Sequence, residues 1–385
     1  MSNDPVDFLR RCIEIYSPSG KEEKYSNFLA NFLKSHNFKV EFDKVGNLIA
    51  EKGKGCPIIL FSSHMDTIPG ELPVIQKEGK IYGRGAVDCK SSLAAMIYSL
   101  THYDFSQENT GKIIFAGIVR EEDSLIGMNE LIESDIKPDY AIFGEPTKIN
   151  QICIGYKGRI CIGYNIITDT GHVACSWQYS NAIEIGINIW NLVKEGCQEL
   201  SKKYCEISNN NKRYFDKIIA NLTVIKGGKL TNCVPSECNI QIDIRFPPSI
   251  KTEQILQKIR DEIKEFKEKF DKENSIKVQI QESISSRVEG FEIKEDEYII
   301  GALRWAIFKI INIKPILIKK TGTTFINSIG IHYRIPSLTY GCGDPKLEHT
   351  DNEFIEIEEY LNCIEVYKKF LDKLYEIYNK KFKEK

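Results

Sequence analysis

The chain has 385 residues, a formal net charge of −2 and 42% hydrophobic residues, which is typical of a globular protein large enough for two domains. The nearly balanced charge gives no reason to expect nucleic acid or an anionic membrane surface as the main partner. No apolar run is long enough to span a membrane, and the first residues lack the basic and apolar regions of a signal peptide. We therefore expect a cytoplasmic protein whose twelve scattered cysteines are mostly reduced.

The first 158 residues show helices and strands in alternation. Two helices are predicted within residues 6–37, on either side of a turn at 17–20. Short apolar strands are predicted at 47–50, 57–62, 112–119 and 140–143, with a helix at 91–101 among them. Continuous apolar strands that alternate with helices are typical of a mostly parallel sheet covered on both faces.

Residues 159–282 show a different pattern, typical of an α+β domain. Strands are predicted at 160–168, 218–225 and 237–245, and helices at 181–197 and 253–273. From about residue 285 the first pattern resumes, and it ends in a helix at 356–380. We therefore predict an α/β domain formed by residues 1–158 and 283–385 and interrupted by a smaller α+β domain at 159–282.

Polar side chains directly follow three of the predicted strands, and two more polar residues lie beside glycine-rich turns. Those after strands are His64, Asp66, Glu121, Glu122 and Glu145, and those beside turns are Asp88 and His349. In open α/β sheets, ligands gather at the carboxyl ends of the strands. Three such clusters on one predicted sheet therefore indicate a functional site at this edge.

His64 and Asp66 are two residues apart, so on an extended backbone their side chains point the same way. This spacing lets Asp66 accept the second ring N–H of a metal-bound His64 and fix its tautomer. Each residue alone also has a purely structural explanation. His64 could be a surface histidine near a turn, and Asp88 could cap the helix that follows it.

Glu121 and Glu122 are adjacent, so their side chains diverge and can perform different tasks. One can bind a metal while the other acts as general base, although an adjacent acidic pair is also common on solvated surfaces. Two imidazoles and three carboxylates together fit a site for two divalent ions with one bridging carboxylate. The nitrogen and oxygen donors suit Zn²⁺, with Co²⁺ or Mn²⁺ as substitutes.

In order and spacing, these residues resemble the dinuclear metallohydrolases related to acetylornithine deacetylase and succinyl-diaminopimelate desuccinylase. The matching motifs are His64-x-Asp66, Gly83-Arg84-Gly85-x-x-Asp88, Glu121-Glu122, Gly144-Glu145-Pro146 and the late His349. The resemblance covers essentially the whole chain and implies an amide hydrolase with an α/β catalytic domain, interrupted by a smaller lid domain that often dimerises. The roles it implies are ligands of one ion for His64 and Glu145, ligands of the other for Glu122 and His349, a bridge for Asp88, the base for Glu121 and an orienting partner of His64 for Asp66.

The resemblance also implies substrate contacts in the lid. Gly171-His172-Val173 resembles the segment that places a lid histidine near the scissile carbonyl, so His172 is expected to stabilise the oxyanion unless it is a surface residue. Asn232 and Arg245 stand where the family has substrate-contacting residues. For Arg245, a carboxylate clamp and a salt bridge within the lid are both open.

Within the family, the chain most resembles the branch that releases lysine or ornithine from the amino-group carrier protein LysW. The resembling segments are 15–19, 82–88, 155–158 and 340–350. Gly322, a further expected substrate contact, opens a segment in which Thr324 and Phe325 replace the usual Ser and Asp, so the amino-acid preference stays open. Cys89 stands where the branch often has alanine and could make the site sensitive to oxidation.

This resemblance implies an acidic carrier protein as substrate and a homodimer through the lid. A basic rim around the cleft is expected for such a partner, with candidates Lys157, Arg159, Lys226, Lys229, Lys319 and Lys320. A deacylase of small N-acyl amino acids, such as an acetylornithine deacetylase, or a dipeptidase is the alternative with the same site. A metal-free binding protein that has kept the fold is the alternative from another class.

Overall fold

The computed structural model describes residues 4–105, 110–208, 214–274 and 277–382, which form helices and strands in alternation. Its α-helices are α1 Pro5–Glu14, α2 Glu23–Ser35, α3 Lys90–Thr101, α4 Ile126–Glu133, α5 Ala182–Ser208, α6 Thr252–Glu273, α7 Tyr298–Ile311, α8 Phe325–Tyr333 and α9 Ile357–Phe382. Its strands are β1 Lys39–Phe42, β2 Leu48–Gly53, β3 Ile58–His64, β4 Ile75–Lys77, β5 Lys80–Tyr82, β6 Lys112–Ile118, β7 Tyr140–Gly144, β8 Gln151–Tyr156, β9 Gly158–Ile167, β10 Ile219–Gly227, β11 Glu237–Phe246, β12 Gln279–Val288, β13 Phe291–Glu292, β14 Ile316–Lys320, β15 Ser337–Thr339 and β16 Phe354–Glu356.

The chain divides into two compact units, of which the first is built around one mixed sheet. This unit consists of Met1–Gly155, Glu292–Lys319 and Thr324–Lys385. The strand order runs β1-β2-β6-β3-β7-β15-β8, and β13 and β14 both pair with β8. The central strands β6, β3, β7 and β15 are mutually parallel, whereas β1 and β2 are antiparallel additions at one edge. The predicted α/β class with a mostly parallel sheet is confirmed.

The centre of this sheet is apolar because helices cover it. Phe61 of β3 is fully buried, and its ring lies 5.9 Å from that of Tyr367 and 6.3 Å from that of Phe370, both in α9. Helix α3 is buried along its whole length, which explains its run of small and apolar residues. A strand enclosed in this way is rigid, so the residues at its carboxyl end are held firmly.

The second unit consists of Tyr156–Phe291 and Lys320–Thr323 and contains an antiparallel sheet in the order β10-β11-β9-β12. Burial alternates along β11, and its inward residues pack in one cluster with apolar residues of α5 and α6. Strand β12 pairs with β9 over its whole length, so the domain limit predicted at residue 282 falls inside a strand. The predicted inserted domain, 159–282, lies within the limits of this unit.

The long helices carry many charged residues on their outer faces. Helix α6 buries Ile255, Leu256 and Ile259, while eleven of its other positions are exposed and all eleven are polar or charged. Such an amphipathic stripe is typical of a helix on a protein surface. In the part of the chain that the structure describes, we find no helix with the length and apolar character needed to cross a membrane.

Candidate metal centre

The carboxyl ends of the parallel strands bring the residues predicted from the sequence together. Strand β3 ends at His64, β6 ends at Ile118 shortly before the Glu121-Glu122 pair, and β7 ends directly before Glu145. The register pairs His64 with Ile118 and the preceding Ser63 with Gly144, so the three strands end at the same level. The shared sheet edge predicted from the sequence is therefore present.

One group of side chains, the first donor group, consists of His64, Asp88, Cys89 and Glu145. Their potential ligand atoms all lie within 4.8 Å of one another. His64 Nε2 is 3.1 Å from Asp88 Oδ1 and 3.8 Å from Glu145 Oε1, and the His64 side chain is only 1% exposed. The thiol of Cys89 contacts the Ser63 hydroxyl at 2.9 Å. The first donor group thus contains the three residues predicted for one ion and an additional sulfur.

The second donor group consists of Asp88, Glu122 and His349. His349 Nε2 lies 3.0 Å from Asp88 Oδ2 and 3.2 Å from Glu122 Oε1. Hydrogen bonds to Asp88 and Glu122 raise the pKa of His349 to about 10. Asp88 is common to both groups, and each of its carboxylate oxygens faces a different imidazole. This is the geometry that a bridging carboxylate requires.

Asp66 connects the two donor groups through the backbone. Its Oδ1 is 3.3 Å from His64 Nδ1 and accepts the N–H of Glu121 at 2.9 Å, and its Oδ2 accepts the N–H of Glu122 at 3.0 Å. The hydroxyl of Ser19 donates a further bond of 2.7 Å to Oδ2. Although burial alone would raise it, the pKa of Asp66 is held below its ordinary value, chiefly by the bond from His64. Asp66 therefore remains ionised and orients His64.

Glu121 lies where several negative charges meet. Burial, the largest cause, and the charges of Glu122, Asp88 and Asp66 together raise the pKa of its carboxyl to about 8, against the attraction of His64. With Glu145, the cluster holds five carboxyl groups and only two imidazoles, an excess of negative charge that cations would neutralise. Imidazole nitrogens and carboxylate oxygens in two groups with one shared member fit two divalent ions.

Two residues that support the site were not predicted to do so. The buried carboxylate of Glu353 accepts the backbone N–H of Asp88 at 3.0 Å, and Ser19 donates its hydroxyl to Asp66. Ser19 lies in the segment 15–19 that resembles the family, so its motif could have indicated a role. Glu353 has no motif around it, and a side chain that binds backbone groups leaves no spacing pattern in the sequence.

The lid residues predicted as substrate contacts all belong to the second unit. His172 and Asn232 are exposed and lie in adjacent segments, joined by a 3.1 Å bond from Val173 N–H to the Asn232 carbonyl. Arg245 forms a 2.6 Å ion pair with Asp243 and donates to Thr323 Oγ1 at 3.1 Å, directly after Gly322. The structure therefore shows the salt bridge that was the alternative explanation of Arg245.

Two side chains expected near the substrate are buried. Phe325, which replaces an acidic residue of the resembling branch, is 2% exposed, and its ring lies 6.1 Å from that of Phe143 in the first unit. Lys157, one candidate for a basic rim, is fully buried and donates to the Lys217 carbonyl. Phe325 is a core residue, and the prediction that Lys157 belongs to an exposed rim is wrong.

Comparisons with known proteins agree with this geometry. The sequence model of peptidase family M20/M25/M40 matches residues 60–373. A LysW-lysine/LysW-ornithine hydrolase from Sulfurisphaera tokodaii is 32% identical over 93% of this chain and 94% of its own, and one from Saccharolobus solfataricus is 30% identical over 96% of both. The crystal structure of an M20 family metallo-carboxypeptidase from Sulfolobus solfataricus superposes with a TM-score of 0.78 at 17% identity and covers 98% of this chain and 100% of that one. The chain belongs to peptidase family M20/M25/M40 and is a metal-dependent amidohydrolase.

Proposed function

We propose that this chain hydrolyses the amide bond between the γ-carboxyl of a carrier protein's terminal glutamate and the α-amine of lysine or ornithine. The observation that carries the proposal is its identity of 30–32%, over nearly the full length, to proteins named LysW-lysine/LysW-ornithine hydrolases. The donor groups support the same reaction class, because they combine two potential ion sites with one carboxyl group at a raised pKa. We propose a role in lysine or arginine biosynthesis, because the proposed products are lysine and ornithine.

In this proposal the two donor groups each hold one divalent ion. His64 and Glu145 would hold one ion, Glu122 and His349 would hold the other, and Asp88, which belongs to both groups, would contribute to both. We propose Zn²⁺ as the native ion, with Co²⁺ as a substitute, because the donors are mainly imidazole nitrogens and carboxylate oxygens. When bound, such ions polarise the amide carbonyl and make water more acidic.

Glu121 is the proposed base and acid. Its carboxylate takes a proton from the attacking water, whose oxygen bonds to the amide carbon, and later gives that proton to the α-amine as the C–N bond breaks. The products are a free glutamate γ-carboxylate and a free amino acid, so water supplies every atom that is added. Asp66 acts through His64, which it holds in one tautomer and orientation.

Residues of the second unit are proposed as substrate contacts. We propose that His172 donates a hydrogen bond to the oxyanion of the tetrahedral intermediate. Asn232, Arg245 and Gly322 are proposed to contact the substrate, with Arg245 held in place by Asp243. An acidic carrier would be attracted to this unit by its exposed lysines, among them Lys226 and Lys229. We also propose that the chain forms a homodimer through the second unit and that it is located in the cytoplasm.

The deciding experiment compares three substrates with purified, Zn²⁺-loaded protein. Carrier-linked lysine and carrier-linked ornithine are expected to be hydrolysed with a higher kcat/KM than N-acetylornithine, since only the first two match the proposed substrate. The ratio of the kcat/KM values for carrier-linked lysine and carrier-linked ornithine defines the amino-acid preference. Faster turnover of N-acetylornithine would instead support the small-molecule deacylase, and the Glu121→Gln variant provides the blank for each substrate.

A further inference from the structure

Glu353 forms a buried anchor for the loop that carries Asp88. Its carboxylate is 1% exposed and accepts three backbone N–H groups of one short loop, from Gly85 at 3.0 Å, Val87 at 2.8 Å and Asp88 at 3.0 Å. A carboxylate that accepts several N–H bonds makes strong, directional contacts, so this loop has little freedom to move. The bond to the Asp88 N–H acts directly on the residue that both donor groups share.

Arg84 extends this anchor to the segment that carries His349. Its guanidinium is 6% exposed and contacts Glu353 Oε2 at 3.1 Å. It also donates to the carbonyl of Thr350, the residue after His349, at 3.1 Å and to the carbonyl of Gly70 at 2.9 Å. A planar guanidinium can make these bonds together because its donors are fixed in a fork. One ion pair thus contacts the backbone on both sides of the second donor group.

We propose that Glu353 and Arg84 are positioning residues that set the separation between Asp88 and His349 and so the affinity for the ion of the second donor group. The inference rests on the two-ion site of the proposed function. Neither residue has a side-chain atom in a donor group, and both act through residues that do.

The two donor groups depend on this pair to different extents. In the second group, Asp88 is bound by Glu353 and His349 is followed by the residue that Arg84 holds. In the first group only Asp88 and the adjacent Cys89 lie next to the loop that Glu353 holds, because His64 and Glu145 are placed by the ends of β3 and β7. Loss of the pair is therefore expected to weaken the second ion more than the first.

The test measures ion binding by titration of metal-free protein with Zn²⁺, alongside thermal unfolding. Two variants remove the pair differently: Glu353→Gln replaces acceptors with an amide, and Arg84→Lys keeps the charge but not the fork. Wild-type protein is expected to bind two equivalents, and the equivalent that His349→Ala removes identifies the second donor group. Each variant is expected to bind that equivalent about 10–100-fold less tightly, with a smaller change at the other one. Activity is expected to return at high Zn²⁺ concentration.

Asp43→Asn is the matched control. Asp43 also accepts three backbone N–H bonds, from Val45, Gly46 and Asn47 at 2.9–3.0 Å. These bonds lie in the turn between β1 and β2, and none of them involves a member of either metal donor group. This variant is expected to lose stability without any change in ion binding, which distinguishes a structural role from a positioning role.

Three results would overturn the inference. If the wild-type protein binds two equivalents and both variants bind them with unchanged affinity, this inference is contradicted but the two-ion site is not. Equal weakening of both ions would show that the pair only supports the fold. Fewer than two equivalents in the wild-type protein would contradict the two-ion site itself. If Glu353→Gln fails to fold, Arg84→Lys decides by the same criteria.

Discussion

The carboxylate of Asp66 accepts the backbone N–H of Glu121 at 2.9 Å, and its other oxygen accepts that of Glu122 at 3.0 Å. One side chain therefore places the proposed base and a proposed ion ligand, while its contact with His64 reaches the first donor group. Because Asp66 is the acceptor in all of these hydrogen bonds, its side chain has to be an ionised carboxylate, which carries no hydrogen-bond donor.

The variant Asp66→Asn is expected to disturb both donor groups. In either orientation its amide NH₂ would face a backbone N–H, that of Glu121 or that of Glu122, so at least one bond would be lost, and the neutral amide would hold His64 less firmly. We expect Zn²⁺ affinity or kcat to fall about 10–100-fold, as is usual when the partner of a metal-bound histidine is changed. Isothermal titration and steady-state kinetics measure the two effects. Ser19→Ala removes only one bond to Asp66 and should change both far less.

The variant Glu121→Gln is expected to retain both ions and lose turnover. The amide has the size of the carboxyl group but cannot take a proton from water, and loss of a general base typically costs about 10²–10⁴-fold in rate. Metal analysis should still find two equivalents after dialysis, because Glu121 belongs to neither donor group. Substantial activity in this variant would contradict the role of Glu121 as base.

Substitution of Asp88, which belongs to both donor groups, and substitution of His349, which belongs to one, should leave different numbers of bound ions. His349→Ala removes a member of the second donor group only, and we expect one equivalent of Zn²⁺ to remain bound. Asp88→Ala removes a member of both groups, and we expect both equivalents to be lost or strongly weakened. Elemental analysis of purified variants measures this. Identical counts in the two variants would contradict a bridging role of Asp88.

Gly85→Ala is expected to weaken ion binding through the backbone. Gly85 has φ +82°, and an added Cβ would lie 2.8 Å from Thr67 Cγ2 and 3.0 Å from Lys90 Cδ, so the loop before Asp88 would have to shift. Gly55→Ala is the matched control, with φ +80° and no atom within 4 Å of the added Cβ. The Gly55→Ala variant should lose only about 1–2 kcal/mol of folding stability, from the strain of a left-handed backbone at an alanine. Thermal unfolding with and without Zn²⁺ distinguishes the two variants.

The α/β architecture could be predicted from the sequence because the apolar runs at β3, β6 and β7 are continuous and are followed at once by polar residues. Parallel strands end at one edge, so this pattern brings together His64, Glu121, Glu122 and Glu145 without any knowledge of side-chain contacts. Asp88 and His349 needed the family motifs, because each lies on a loop whose course the sequence pattern does not define.

Other features depend on contacts that leave no pattern. Residues 279–288 alternate weakly and lie mostly exposed at a sheet edge, so the sequence pattern does not locate β12, and the expected domain limit at residue 282 lies inside this strand. Glu353 binds backbone groups of a loop that lies 265–268 positions earlier, and no local spacing reports such a bond. Phe325 occupies the position of an acidic residue in the resembling branch, yet its burial against Phe143 follows only from tertiary packing.

The second donor group joins two distant parts of the chain, since Glu122 and His349 are 227 residues apart. The whole inserted unit lies between them in sequence. An ion bound there would act as a reversible cross-link that closes a very long loop, and an ion that binds only the folded protein stabilises it by mass action. The melting temperature should therefore rise with Zn²⁺ concentration and fall when a chelator removes the ion.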